Sequence, residues 1–183
     1  MQEFDVTKPL PHKPLFNPNG DTEVLKRRMI AGNTTNLNDY NNLKYPWVSD
    51  WYRQAMNNFW IPEEINLSQD LKDYHKLLPQ ERKAYDKILS FLVFLDSIQT
   101  ANLPCVGEYI TANEVNLCLN IQTFQECVHS QSYSYMLDSI CSPDERMDIL
   151  YQWKTDEHLL ARNTFIGNCY NLFQEKKGCC DAA

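Results

Sequence analysis

The sequence predicts an all-α protein, and three observations favour this fold class. The chain of 183 residues contains only 5 Gly. Stretches that alternate strictly between apolar and polar residues are scarce, whereas apolar residues recur at helical spacing over long segments. The composition, 43% hydrophobic and 22% charged, is ordinary for a globular protein, and the length suits one domain with a core.

The net charge and the N-terminal residues argue against nucleic-acid binding and membrane insertion. A net charge of −7 argues against nucleic-acid binding, which needs a clustered basic face. The first residues are acidic and polar, and no apolar run approaches the ~20 residues of a membrane span. We therefore expect a cytoplasmic protein with no membrane and no nucleic-acid partner.

The N-terminal part is expected to be an extended arm followed by a helix. Residues 1–20 contain four of the nine prolines, which disfavour regular helix. A first helix is predicted at about 22–31, with Asp21 and Thr22 as candidate caps. The helical domain is expected to cover residues 21–175 and to be followed by a disordered tail at 176–183.

Prolines mark the starts of the next helices. Pro46 suits the first position of a helix at about 46–59. Ser68 is a candidate cap for a short helix at about 69–77. Pro79 then opens a long helix at about 79–102.

The middle of the 79–102 helix is apolar almost all round, which predicts burial on most sides. Asp96 lies within this apolar stretch. A lone carboxylate is costly there unless it has a charge partner, a metal or a proton.

Capping patterns set the starts of two further helices. Thr111-x-x-Glu114 is a capping-box pattern, and Ser142-Pro-Asp-Glu145 is another. The remaining helices are predicted at about 112–140, 143–153 and 156–174.

The seven cysteines include no C-x-x-C pair, so neither a zinc ribbon nor a thioredoxin-like motif is indicated. Cys118, Cys127 and Cys141 are expected to be small buried residues, reduced in a cytosolic chain.

Chemistry is concentrated at Glu126, His129 and Tyr133, which share one face of the 112–140 helix because they are spaced i, i+3 and i+7. A Glu-x-x-His pair that faces a bundle interior is half of a carboxylate-bridged di-metal site. A surface polar pair is the alternative. Together with Asp96, however, Glu126 and His129 offer a set of donors that suits a cation. Carboxylates and an imidazole suit iron or manganese better than zinc.

Tyr133 lies about 6 Å along the helix axis from His129. Such a residue either packs with a hydrogen-bond partner or is oxidised beside a metal. Tyr135 points about 200° away on the helix, and we assign it no role.

Three motifs together resemble the small (beta) subunit of class I ribonucleotide reductase, over roughly residues 12–175. They are Phe59-Trp60-Ile-Pro-Glu-Glu, Leu95-Asp96-Ser97-Ile98-Gln99, and Glu126-x-x-His129-Ser-x-Ser-Tyr133. The resemblance implies a ferritin-like helical bundle, here incomplete: an N-terminal half with two long core helices.

The resemblance also implies roles for five residues. Asp96, Glu126 and His129 would bind the first metal ion, with Glu126 bridging to the second. Tyr133 would become a stable tyrosyl radical, and Trp60 would help to deliver an electron during activation. The implied cofactor is a di-iron centre with a dioxygen-derived oxo bridge, or alternatively a di-manganese centre.

Three hypotheses account for the second carboxylate set, which does not occur in this sequence. A complementary C-terminal half could complete the small subunit as a separate polypeptide. A second copy of the chain could pair about a two-fold axis. The chain could also be a non-catalytic fragment that binds its partners. In every case exposed apolar faces on the two long helices predict a partner, and the resemblance adds the large (alpha) subunit, which reduces ribonucleotides.

Overall fold

The computed structural model describes residues 8–175, and this part of the chain is helical, with no β-strand. The predicted all-α class is confirmed. The described α-helices are α1 (Trp47–Asn57), α2 (Ser68–Tyr74), α3 (Pro79–Gly107), α4 (Asn113–Ile140), α5 (Pro143–Tyr151) and α6 (Glu157–Glu175). Short 3-10 turns occupy Val24–Lys26, Pro62–Glu64 and Gln152–Lys154.

The chain forms two compact units, each with its own core. The first unit comprises Met1–Phe59, Ala101–Thr123 and Asn168–Ala183, and the second comprises Trp60–Thr100 and Phe124–Gly167. Val48, Ala112, Val115 and Cys118 form a core cluster in the first unit. Leu89, Leu137 and Ile149 form the core cluster of the second unit, which we call the second core. The predicted domain limits stay predictions, and the 176–183 tail lies outside the described residues.

The predicted helix at 22–31 is wrong, because only Val24–Lys26 forms a 3-10 turn there. The backbone carbonyls that a helix would use are taken by distant donors. The Lys44 ammonium donates to the carbonyls of Leu25 and Arg27, and the Thr111 hydroxyl donates to the carbonyl of Arg28. Tertiary hydrogen bonds therefore replace the local helix.

Of the three side-chain caps predicted for α2, α4 and α5, two are wrong. The Thr111 hydroxyl accepts the N–H of Gly32 at 2.9 Å, and Glu114 accepts the N–H of Lys44 at 3.2 Å. Both groups thus bind the N-terminal segment instead of capping α4. Ser68 is the first residue of α2 and makes no cap hydrogen bond, because the helix begins one residue earlier than expected.

The third predicted cap is confirmed at the start of α5. The Ser142 hydroxyl accepts the N–H of Glu145, and the Glu145 carboxylate accepts the N–H of Ser142 at 2.9 Å. This reciprocal pair is a complete capping box.

Helix α3 is less buried in this chain than its sequence predicts. Leu89 and Ser90 are fully buried, whereas Ala84 is exposed and Ile88 is 57% exposed. The helix is apolar on nearly all sides, and the neighbouring helices of the second unit cover only some of those sides. The predicted exposure of apolar residues on this helix is therefore found, and the partner that would cover them stays a prediction.

Among the described residues, α3 is long and apolar enough to cross a membrane by length and composition. The expectation that no apolar run approaches that length is therefore wrong for this helix. Because a core helix of a bundle meets the same criteria, this is weak evidence for a membrane span.

The cysteine expectation holds in part. Cys118 is buried and Cys141 is half-buried, but Cys127 is exposed. Cys127 follows Glu126 directly on α4. Because successive helical residues point in different directions, Cys127 does not share the inward face of Glu126.

Candidate metal centre

Two helices of the second unit bring three metal-ligand types together. Asp96 lies on α3, and Glu126 and His129 lie one turn apart on α4. One ligand atom from each lies within 4.8 Å of the others. His129 Nδ1 is 3.2 Å from Glu126 Oε2 and 3.6 Å from Asp96 Oδ2. The three side chains therefore converge on a space the size of one ion.

The local sequence explains why these side chains converge. The i, i+3 spacing sets Glu126 and His129 on one face of α4. Leu89 of α3 and Leu137 of α4 belong to the second core, and this packing holds Asp96 opposite that face. The sequence alone indicates the pair on α4, whereas the contact with Asp96 needs the packing of two helices.

Tyr133 adjoins the same group through Asp96. Its hydroxyl lies close enough to the Asp96 carboxyl group to interact with it electrostatically. Burial, followed by the negative charges of Asp96 and Glu126, raises the pKa of Tyr133 to about 12. The phenol is therefore fully protonated at neutral pH. The sequence related Tyr133 only to His129 on its own helix, and the partner on α3 was missed.

Trp60 lies near the histidine. Its ring centroid is 6.2 Å from that of His129, with the ring planes inclined by 31°. Trp60 precedes the 3-10 turn Pro62–Glu64, so it reaches the site from a loop. Proximity of Trp60 to a ligand could be expected from the resemblance, but not from helical periodicity.

Tyr135 is directed elsewhere. Its hydroxyl donates a 3.0 Å hydrogen bond to the backbone carbonyl of Ile65, and the residue is half-buried on the helix. It is therefore a chemically matched comparison for Tyr133.

The donor set fits a redox metal. Two carboxylates and an imidazole, with no thiolate among them, suit iron or manganese. In bundle proteins with two metals, one Glu-x-x-His helix and one carboxylate helix supply half of the ligands. Within residues 8–175, Asp96, Glu126 and His129 are the only such group of donors. The binding of metal itself stays a prediction.

Comparison with known proteins gives the family. The family model described as ribonucleotide reductase, small chain, matches residues 37–181. The chain belongs to the ribonucleotide reductase small-chain family. The resemblance drawn from the three motifs is thereby confirmed.

Relatives of this small-chain family cover most of the chain. The ribonucleoside-diphosphate reductase subunit beta of Treponema pallidum is 75% identical over 168 residues, which are 92% of this chain and 48% of that protein. The chain thus spans about half the length of this relative.

Solved small-chain structures give the same fold. The ribonucleotide reductase R2 subunit from Clostridium botulinum is 52% identical, with a TM-score of 0.87 over 92% of this chain and 52% of that one. The Streptococcus sanguinis dimanganese(II)-NrdF structure has a TM-score of 0.68 at 23% identity, over 73% of this chain and 48% of that one. The latter shows the fold alone. The predicted ferritin-like helical fold is confirmed by these neighbours.

Proposed function

We propose that this chain supplies one half of a di-metal, radical-generating centre in a ribonucleotide reductase small subunit. The observation that carries the proposal is the meeting of Asp96, Glu126 and His129 beside the hydroxyl of Tyr133. Asp96, Glu126 and His129 would hold one ion, and Glu126 would bridge to a second. The ions are iron, with manganese as the alternative, because these ligand types suit both.

The chain's own residues have separate tasks in this proposal. When bound, the metal pair supplies the oxidising power of dioxygen. Tyr133 holds one phenolic proton at the Asp96 side chain, and loss of an electron and that proton makes it the tyrosyl radical. Trp60, whose ring lies near that of His129, passes an electron toward the site during activation. The half-buried position of the group limits access of water to the radical.

The proposed partners follow from the ligand count. A carboxylate-bridged pair of metals needs a second carboxylate helix and a second Glu-x-x-His helix. We propose that a complementary C-terminal small-subunit segment supplies them in the cytoplasm. The assembled small subunit would then pass its radical to a large subunit. Because a relative is named ribonucleoside-diphosphate reductase subunit beta, the proposed substrates are ribonucleoside diphosphates.

A complementation experiment tests this proposal. The full chain is mixed with the part of the Treponema pallidum relative that it does not match, then loaded with ferrous iron in air. We expect a stable complex that binds two metals and gives a tyrosyl signal by electron paramagnetic resonance. His129→Ala should lose the metal, and His158→Ala, on α6, is the matched control.

Other outcomes separate the alternatives. Two metals in a dimer of this chain alone would favour pairing of two copies. A complex that forms without binding metal would contradict the proposal and favour a non-catalytic interaction.

A further inference from the structure

A second tyrosine of the second unit is enclosed and joined to a carboxylate. Tyr74, the last residue of α2, is only 4% exposed. Its hydroxyl donates a 2.8 Å hydrogen bond to Oδ1 of Asp86, and the Cys141 side chain lies near it. Neither Tyr74 nor Asp86 belongs to the candidate metal centre. The phenol therefore has a proton acceptor in place and little contact with solvent.

The charges around Tyr74 favour oxidation of its phenol only when the phenol loses its proton at the same time. The guanidinium of Arg82 lies over the ring, 4.5 Å from its centroid, and pairs with Glu145. Loss of an electron alone would place a phenol cation against this guanidinium, which Coulomb repulsion disfavours. Transfer of the proton to Asp86 removes that charge from the ring.

The protonation states of the pair agree with this role. Burial raises the pKa of Tyr74, so the phenol keeps its proton at neutral pH. Burial also raises the pKa of Asp86, which makes its carboxylate a stronger base than an exposed one.

Aromatic packing connects Tyr74 with the neighbourhood of Tyr133. The rings of Tyr74 and Tyr85 have centroids 5.7 Å apart. Tyr85 and Tyr133 both pack against the second core. Cys141, whose side chain lies near the Tyr74 hydroxyl, comes directly after the end of α4. It follows Tyr133 by eight residues, or about 12 Å at the rise of a helix. Tyr74 thus lies beside a tyrosine that packs against the same core cluster as Tyr133.

We propose that Tyr74, with Asp86 as its proton acceptor, is a second redox-active tyrosine that returns an electron to oxidised Tyr133. This role rests on the proposed function, because the oxidant is the Tyr133 phenoxyl radical. One electron passes from Tyr74 to Tyr133, and the Tyr74 proton moves to Oδ1 of Asp86. Tyr133 takes one proton from solvent and becomes a phenol again, while Tyr74 becomes the phenoxyl radical. A Tyr133 radical that is not passed to the large subunit is thus moved to Tyr74, which is enclosed.

The first test needs no metal. The metal-free full chain is oxidised by azide radicals from pulse radiolysis, and the tyrosyl signal is measured by paramagnetic resonance after freezing. We expect Tyr74→Phe to remove a hydrogen-bonded tyrosyl component. Asp86→Asn, which keeps the shape but not the base, should slow its formation at least about tenfold.

Tyr135→Phe is the matched control, because the Tyr135 hydroxyl donates to a neutral carbonyl. It should leave that component unchanged. A tyrosyl signal that is the same in Tyr74→Phe and in the unchanged chain overturns the proposal.

The second test uses the full chain in the metal-loaded complex. Tyr74→Phe should lengthen the lifetime of the Tyr133 radical by about tenfold, with unchanged metal content. An equal lifetime would refute electron return to Tyr133. If the unchanged complex binds metal but never forms a Tyr133 radical, the proposed function fails, and electron return to Tyr133 fails with it. The azide experiment still decides whether Tyr74 and Asp86 form a redox pair.

Discussion

The indole of Trp60 lies beside the imidazole of His129, with ring centroids 6.2 Å apart. This contact joins a loop residue to one of the three candidate metal ligands. Because Trp60 contributes a ring and not a ligand atom, its role in electron delivery can be separated from metal binding.

Trp60→Phe should preserve the metal content of the assembled protein and slow formation of the tyrosyl radical. Phenylalanine keeps an aromatic ring near His129, but it is much harder to oxidise than tryptophan. Rapid-freeze paramagnetic resonance after oxygen addition measures the rate, and elemental analysis measures the metal. Loss of metal in Trp60→Phe would show instead that the ring mainly positions His129.

Tyr133→Phe should keep the metal and abolish the tyrosyl signal of the loaded complex. Only the hydroxyl that interacts with Asp96 is lost, and no ligand atom changes. The matched variant Tyr135→Phe should keep the signal, because that hydroxyl binds the carbonyl of Ile65. If the full tyrosyl signal survived in Tyr133→Phe, the radical would have to be assigned to another residue.

Acid should weaken the start of α5 through Glu145. Hydrogen bonds from Ser142 and Arg82 lower the pKa of Glu145 from 4.5 to about 2. A lowered folded-state pKa gives stability that is complete above pH 4.5 and is lost as the pH falls toward about 2. The side chain is 38% exposed, so solvent screening limits the effect to about 1 kcal/mol.

Urea unfolding of the full chain at a series of acidic pH values measures this dependence. Glu145→Gln should flatten it, whereas Glu157→Gln, in the first turn of α6, should not. An identical pH dependence in Glu145→Gln and the unchanged chain would contradict the assignment.

Thr111→Val should loosen the N-terminal segment of the first unit. The Thr111 hydroxyl accepts from the N–H of Gly32 at 2.9 Å and donates to the carbonyl of Arg28 at 2.8 Å. Valine has the same shape but leaves both backbone groups unpaired, at a cost of about 1–3 kcal/mol.

Limited proteolysis near Gly32, together with urea unfolding, would detect that change. Thr123→Val is the control, because the Thr123 hydroxyl only donates to the Leu119 carbonyl within α4. Equal protease resistance in Thr111→Val and Thr123→Val would contradict the role of Thr111.

Local patterns in the sequence determined much of this protein. Helical periodicity predicted the long helices α3 and α4, and Ser142 with Glu145 predicted the capping box of α5. The i, i+3 spacing placed Glu126 and His129 on one face of α4. These features depend on residues within about two turns of each other, so the sequence contains the information that they need.

Only the tertiary structure decided the features that depend on distant residues. Carbonyls at Arg27 and Arg28 bind the side chains of Lys44 and Thr111, so residues 22–31 do not form a helix. The interaction between Tyr133 and Asp96 depends on how α3 packs against α4. Periodicity gives the face of a helix but not its register against a neighbour, which packing and cross-chain hydrogen bonds decide.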